Sequence, residues 1–323
     1  MSNPVLKVEG LRIHIFTRAG VVKPVDGVDL SLYPGEALGL VGESGSGKSM
    51  TCLSIMRLLP KGGHIVGGKI LLEGDDLTQK SERQMTRIRG RQIAMILQDP
   101  LMSLNPVVTI GTQVGESFLL DGVPRGARRE KVIDVLRSVH IPAAADRLGS
   151  YPFQFSGGMR QRTSAAIAIS RDPKVLIADE PTTSLDVTIQ DQLLHLLKEI
   201  QDRTGMALIL VTHDLGIAAE VCDRLAIMYA GRVVETGTVE RIYREPRHPY
   251  TQALLKAIPS VGAKVRRLFQ IDGEPPNPGD LPSGCSFHPR CPKTVDACSL
   301  RYPPRVPIED GYAACWLLKG GEE

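Results

Sequence analysis

The run Gly42-Glu43-Ser44-Gly45-Ser46-Gly47-Lys48-Ser49 satisfies G-x-x-x-x-G-K-[ST] and follows directly on the apolar stretch Ala37 to Val41. Glycines at these spacings let a backbone curl so that successive N–H groups aim inward at phosphate oxygens. A helix starting behind the loop adds the positive end of its dipole. Lys48 would neutralise the β- and γ-phosphates of a nucleotide, and Ser49 would ligate Mg²⁺. A Gly/Ser-rich surface loop has the same composition, but it needs neither a strand before it nor the helix-compatible stretch Met50 to Leu59 after it. Gly42 to Ser49, with Met50 at the helix start, is therefore the candidate phosphate cradle.

Mg²⁺ beside a triphosphate wants a second carboxylate, acting through water, and the run Val175-Leu176-Ile177-Ala178-Asp179 ends in one at the carboxyl edge of an expected strand. Glu180 follows at once and has the reach to polarise an attacking water at the γ-phosphate. Asp-Glu pairs are common at turns; the phosphate loop gives this one its chemical meaning.

A scaffold of ordinary globular composition has to hold these groups. The 323 residues are 42% hydrophobic and 23% charged, which excludes a disordered or collagen-like chain and suits a large α/β domain with an appendage. Basic residues number 39 against 36 acidic, and the arginine runs at Arg87, Arg89, Arg91 and at Arg125, Arg128, Arg129 read as solvated helix faces. With 4% aromatics there is little to stack on bases, so no nucleic-acid partner is expected. The apolar runs fall far short of the ~18 residues that cross a bilayer, and no signal-peptide core is present, so a cytosolic chain is expected.

Strands are expected at Leu6 to Phe16, Val28 to Leu32, Ala37 to Val41, Lys69 to Leu72 and Gln92 to Leu97, with turns at Pro34-Gly35, Gly62-Gly63 and Gly67-Gly68. From about 99 to 170 the pattern turns helical, with Val132, Val135, Leu136 and Val139 on one face. Strands at Val175 to Ala178, Ala207 to Val211 and Leu225 to Tyr229 then alternate with helices at Ile189 to Gln201 and Gly216 to Cys222. That alternation predicts an α/β fold with parallel strands. A shift to Pro-rich composition near Glu245 marks a boundary: 1–245 as one domain, 246–323 as a smaller one.

Phe155-Ser156-Gly157-Gly158-Met159 resembles the LSGGQ signature of the ATP-binding cassette (ABC) ATPases, with Phe155 and Met159 in place of Leu and Gln. Other markers fall in the family's order: Gln98 resembles the Q-loop, Ser184-Leu185-Asp186 the D-loop and His213 the switch histidine. The resemblance implies a P-loop NTPase (RecA-like) core with a β-subdomain and a helical signature subdomain. It implies ATP and Mg²⁺, bound by Lys48, Ser49, Gln98, Asp179, Glu180 and His213 on one wall of a site. The opposite wall comes from the partner in a head-to-tail dimer, and Ser156, Gly157, Gly158 and Asp186 of this chain would serve the partner's site. Adenine in this family stacks on an aromatic ring upstream of the phosphate loop; Phe16 is the best placed, although a ring on a first strand is more often core packing.

Gln98-Asp99-Pro100 with Ser103-Leu104-Asn105-Pro106, the stretch Ala178 to Val187, and Arg247-His248-Pro249-Tyr250-Thr251-Gln252-Ala253-Leu254-Leu255 look like the ATPases of bacterial dipeptide and oligopeptide importers. Nickel, glutathione and some oligosaccharide importers share these strings. The implied partners are a second cassette, expected as a paralogue, two transmembrane permease subunits and an extracellular solute-binding protein. The chain would then sit peripherally on the cytoplasmic side of the membrane. Soluble ABC proteins of DNA repair or translation carry paired cassettes, coiled coils or zinc insertions that do not occur here.

Four of the six cysteines, Cys285, Cys291, Cys298 and Cys315, are spaced C-x5-C-x6-C-x16-C in the Pro-rich tail. Disulfides do not suit a cytosolic chain, and scattered structural thiols would not crowd together. Zinc and an iron–sulfur cluster both take four thiolates. Zinc sites favour C-x2-4-C knuckles, whereas a cubane accepts wider loops. The tail resembles the C-terminal region of peptide-importer ATPases that carries a 4Fe-4S cluster, which leaves zinc as the alternative.

Overall fold

The computed structural model describes residues 3–98, 103–183, 185–258 and 269–318. Asp99, Pro100 and Ser184 of the motifs above lie outside them. In chain order, β1 (Leu6–Thr17), β2 (Gly20–Leu32) and β3 (Ala37–Val41) lead to α1 (Lys48–Ile55), β4 (Gly63–Leu72), β5 (Asp75–Asp76), α2 (Glu82–Ile88) and β6 (Ile93–Ile96). Helices α3 (Ile110–Leu120), α4 (Arg125–Ser138) and α5 (Gly157–Ile169) precede β7 (Val175–Asp179), α6 (Val187–Thr204), β8 (Ala207–Thr212) and α7 (Leu215–Val221). Then come β9 (Arg224–Tyr229), β10 (Arg232–Thr238), α8 (Val239–Arg244), α9 (Pro249–Ala257), α10 (Asp296–Leu300), β11 (Arg305–Ile308) and β12 (Gly311–Ala314).

The chain forms two compact units. The helical unit comprises Met1–Val5, Tyr33–Glu36 and Lys80–Ile209; the loop unit comprises Leu6–Leu32, Ala37–Gln79 and Leu210–Glu323. In the helical unit, β6 and β7 pair in parallel from Ile93↔Val175 to Ile96↔Ala178, as their continuous apolar runs require. Every residue of β7 is buried, so the strand delivers Asp179 at its carboxyl end from a rigid support. On α4, Val132, Ile133 and Leu136 are buried, while Val135, expected on that face, is half-buried.

In the loop unit, β1 pairs antiparallel with β2 and β4 in a sheet ordered β2-β1-β4-β5. The Gly67-Gly68 pair, expected to be a turn, lies inside β4. Gly68 takes φ +87°, and a Cβ there would sit 2.5 Å from the Glu9 carbonyl, at a register shift between Glu9 and Arg12. This is a bulge, which bends a strand without ending it. The wholly buried β3 runs parallel to β9, from Leu38↔Arg224 to Val41↔Ile227, so that its carboxyl end opens into the phosphate loop.

The cysteine-bearing tail is stitched to the same unit. β12 pairs with β10 at Glu235↔Ala313 and Thr236↔Tyr312, and β11 closes a hairpin on β12. Arg241 donates to the fully buried Glu235 at 2.9 Å and to Asp310 at 2.6 Å, while Glu235 also accepts the Arg247 and His248 backbone N–H groups. Among the described residues, no helix is long and apolar enough to cross a membrane.

Candidate functional site

Gly42 and Gly47 are glycines for a measurable reason. A Cβ at Gly42 would lie 2.1 Å from the Met228 carbonyl oxygen, and one at Gly47 would lie 2.2 Å from that of Pro24. Gly47 also takes φ +101° as the residue that opens α1, a conformation other L-residues rarely adopt. The loop is clasped from the β9–β10 turn: the Gly231 N–H donates to the Ser46 carbonyl at 2.8 Å, and Asp26 N–H donates to the Gly231 carbonyl at 2.8 Å.

Lys48 is almost fully buried, and its ammonium donates to the Gly42 and Glu43 carbonyls at 2.7 and 2.9 Å. A buried ammonium held by loop carbonyls is a cation kept in register with the surrounding N–H groups, the charge arrangement a polyphosphate needs. Ser46 Oγ is buried without a hydrogen-bond partner, and Ser49 and Met50 lie in the first turn of α1. Ser44 and Gly45 form the exposed turn of the loop, with Gly45 at φ +77°. Phe16 stands on β1 with half its surface exposed, its ring 5.8 Å from that of His64 and 6.2 Å from that of His14.

In the helical unit the structure brings Gln98 and Glu180 together: Gln98 Nε2 donates to Glu180 Oε2 at 2.9 Å, and Thr183 Oγ1 donates to the same oxygen at 3.2 Å. Glu180 has φ +44°, a backbone strain that native folds retain mostly at working sites. Asp179 beside it is buried.

Ser156 caps α5, accepting the Met159 N–H at 3.3 Å, so the signature glycines form the first turn of a helix. Phe155 is buried, which explains why an apolar ring substitutes for leucine there. Gly158 packs under Ile189 of α6 so closely that a Cβ would meet its Cγ2 at 2.6 Å, while Gly157 faces Leu185. Asp186 caps α6 through the Ile189 N–H at 3.0 Å. His213, in the loop unit, is exposed just past β8, and the following Asp214 caps α7.

Cys285, Cys291, Cys298 and Cys315 line one narrow cavity together with His248, Phe287 and Trp316. Burial pushes the Cys285 thiol up to about 11, with the other three sulfurs adding to it, and burial likewise raises Cys291 and Cys315. Four soft donors around one space suit a thiophilic metal, which must displace their protons.

Sequence reasoning missed the partners of Glu43. Its N–H donates to Tyr250 Oη at 2.9 Å, and its carboxylate takes two bonds from Arg290. Tyr250 lies in the Arg247–Leu255 string already singled out, but nothing in the string names the residue it reaches.

Comparison with known proteins gives two family matches: an ABC transporter model over residues 25–183 and an oligopeptide/dipeptide transporter C-terminal region over 234–298. A putative peptide import ATP-binding protein of Brucella ovis is 47% identical, covering 96% of each chain. The dipeptide transport ATP-binding protein DppD of Bacillus subtilis is 46% identical, covering 97% of this chain and 94% of its own. Among solved structures, cbiO1 of Clostridium perfringens, part of an ABC transporter complex, has a TM-score of 0.66 at 26% identity over 76% of this chain and 92% of that one. A dimeric ATP-binding cassette bound to ADP and Pi shares the fold at TM-score 0.64 and 23% identity, over 72% of this chain and 98% of its own.

Proposed function

Because this chain belongs to the ABC transporter ATPases of oligopeptide and dipeptide uptake, we propose that it hydrolyses ATP to power peptide import through a membrane complex. The observation that carries this reading is end-to-end similarity to peptide import ATP-binding proteins, which takes in the tail as well as the phosphate loop. That similarity favours peptides over nickel, glutathione or an oligosaccharide as cargo.

The loop N–H groups and Lys48 hold the phosphates of ATP, with Phe16 as the platform for adenine. Ser49, Asp179 and Gln98 offer the hard oxygen donors that Mg²⁺ takes. Bound there, Mg²⁺ would spread the charge of the β- and γ-phosphates. Glu180 orients and deprotonates the attacking water, Gln98 fixes which way its carboxylate faces, and His213 donates toward the γ-phosphate. Ser156, Gly157, Gly158 and Asp186 serve the ATP of a partner cassette, a paralogue in a head-to-tail pair. Two permease subunits and an extracellular binding protein complete the complex on the cytoplasmic face of the membrane.

On this reading residues 1–245 carry the ATP chemistry, with 99–170 as the helical signature subdomain, and 246–323 form an appendage around the four thiols. A 4Fe-4S cluster fits the thiols better than zinc does. Zinc sites favour C-x2-4-C knuckles, whereas gaps of five, six and sixteen residues suit the wider ligand loops of a cubane. The cluster's role would be to cross-link a segment too small to stabilise itself by burial.

The test is reconstitution of the chain in vesicles with its neighbouring permease, second cassette and binding-protein genes. ATP-driven uptake of a labelled dipeptide, abolished by Glu180→Gln, is expected. Uptake of nickel or a sugar but no peptide would overturn the cargo assignment.

A further inference from the structure

Arg290 lies in the tail one residue before Cys291, far in sequence from the phosphate loop, yet its side chain is only 6% exposed and is spent largely on that loop. Its Nη1 donates to Glu43 Oε2 at 2.7 Å and its Nη2 to Glu43 Oε1 at 3.3 Å, a two-pronged grip on a loop carboxylate. The other donors are also engaged: Nε to the Asp272 carbonyl at 3.0 Å, Nη1 to Tyr229 Oη at 3.2 Å and Nη2 to the Ile271 carbonyl at 3.4 Å. All five N–H groups of the guanidinium thus have acceptors, an arrangement that a lysine ammonium cannot reproduce.

Behind this grip is a rigid wall. The rings of Tyr229, Tyr250 and Phe287 are fully buried and meet pairwise at 4.6 to 5.3 Å. Tyr250 uses its hydroxyl to accept the Glu43 N–H at 2.9 Å. Glu43 is therefore fixed at its amide and at its carboxylate, and its carbonyl accepts the Lys48 ammonium at 2.9 Å and the Ser46 N–H at 3.2 Å. A continuous path runs from Arg290 through Glu43 to the lysine that neutralises phosphate.

We propose that Arg290 is a positioning residue for nucleotide binding, acting through Glu43. It holds the first turn of the phosphate loop in its binding shape and offsets a carboxylate that would otherwise repel the polyphosphate. This inference rests on the reading of the loop as an ATP cradle. Two effects contribute. A loop that must be ordered by its ligand binds more weakly, its apparent affinity falling with the fraction already ordered, and an unpaired carboxylate beside an anion adds repulsion.

The experiment is a dissociation-constant series for MgATP on the purified full chain: wild type, Arg290→Ala, Arg290→Lys, Glu43→Gln and the double variant Glu43→Gln/Arg290→Ala. Arg290→Ala should weaken binding about tenfold, with Arg290→Lys recovering little. The double variant should bind more tightly than Arg290→Ala alone, because removing the carboxylate charge removes the repulsion. A merely structural arginine would show no such rescue. If Arg290→Ala fails to fold, Glu43→Ala reports instead, since it leaves the tail intact; it too should weaken binding.

Wild-type affinity in Arg290→Ala or Glu43→Ala, or strictly additive losses in the double variant, would overturn the proposal. A folded wild type that binds ATP no better than Lys48→Ala would instead sink the reading of the cradle, and the two failures are distinguishable.

Discussion

Gln98 and Glu180 are joined by a 2.9 Å hydrogen bond from the glutamine Nε2 to the glutamate Oε2, although the two residues sit at the ends of different strands. If Glu180 activates the attacking water as proposed, this amide decides which carboxylate oxygen faces it. Glu180→Gln should keep ATP binding and lose ~10²–10⁴ in turnover, while Gln98→Ala should lower kcat less, with ATP affinity retained. Lys48→Ala, by contrast, should lose binding itself. Phosphate release and nucleotide binding, measured separately in the assembled complex, read these out; normal turnover in Glu180→Gln would remove that residue from its role.

Gly158 has no room for a side chain beneath Ile189. Gly158→Val should displace the first turn of α5 and abolish ATPase activity in the assembled complex. MgATP binding by the isolated chain should be unchanged if the signature serves the partner's nucleotide, as proposed. Loss of binding in the isolated variant would contradict that division.

Protein prepared without oxygen should be brown and carry about four irons per chain, and Cys291→Ser should lose them. Colourless protein with stoichiometric zinc would identify the other metal. Because burial holds Cys285, Cys291 and Cys315 protonated at neutral pH, loading should release protons and strengthen as pH rises.

Arg241 is the counter-ion of a fully buried carboxylate, Glu235, and also ties in Asp310 of the tail hairpin. Arg241→Ala should destabilise the loop unit by about 3–5 kcal/mol, and Glu235→Gln in that background should restore part of the loss. Equal denaturation midpoints for wild type and Arg241→Ala would show the network to be dispensable.

The Arg171 guanidinium, bonded to Asp121 at 2.9 Å, holds that carboxyl below the usual aspartate range. The folded value therefore lies below the unfolded ~3.9. The pair stabilises above that pH, and its contribution is lost as pH falls through the folded value. Asp121→Asn should cost about 1 kcal/mol at pH 7, and its stability curve should meet that of wild type in acid. A gap that persists at pH 2 would show that the loss is not electrostatic.

The phosphate loop and β3 were legible because a motif and a fully apolar strand are local properties, and Ala37 to Val41 matches its strand residue for residue. β7 was legible for the same reason. The strand β10 was not anticipated, because its buried Glu235 breaks the apolar pattern and is tolerated only through Arg241, a tertiary partner. Gly68 misled in the opposite direction: a bulge and a turn call for the same residue, and only the neighbouring strand decides between them. The Glu43–Arg290 pair joins residues 247 apart in the chain, a separation at which composition carries no signal.

The hairpin that closes the tail also determines how the loop unit's sheet ends. Without β12, the Glu235 and Thr236 backbone of β10 would be an open margin, ready to recruit a strand from another molecule. β11 takes over that margin and is poorly suited to extend it. It is four residues long, Pro307 lacks an N–H, and Arg305 is turned back to the Gly27 carbonyl at 2.8 Å. The last strand thus guards against edge-to-edge aggregation of this chain, a service to solubility that owes nothing to ATP or to the thiols nearby.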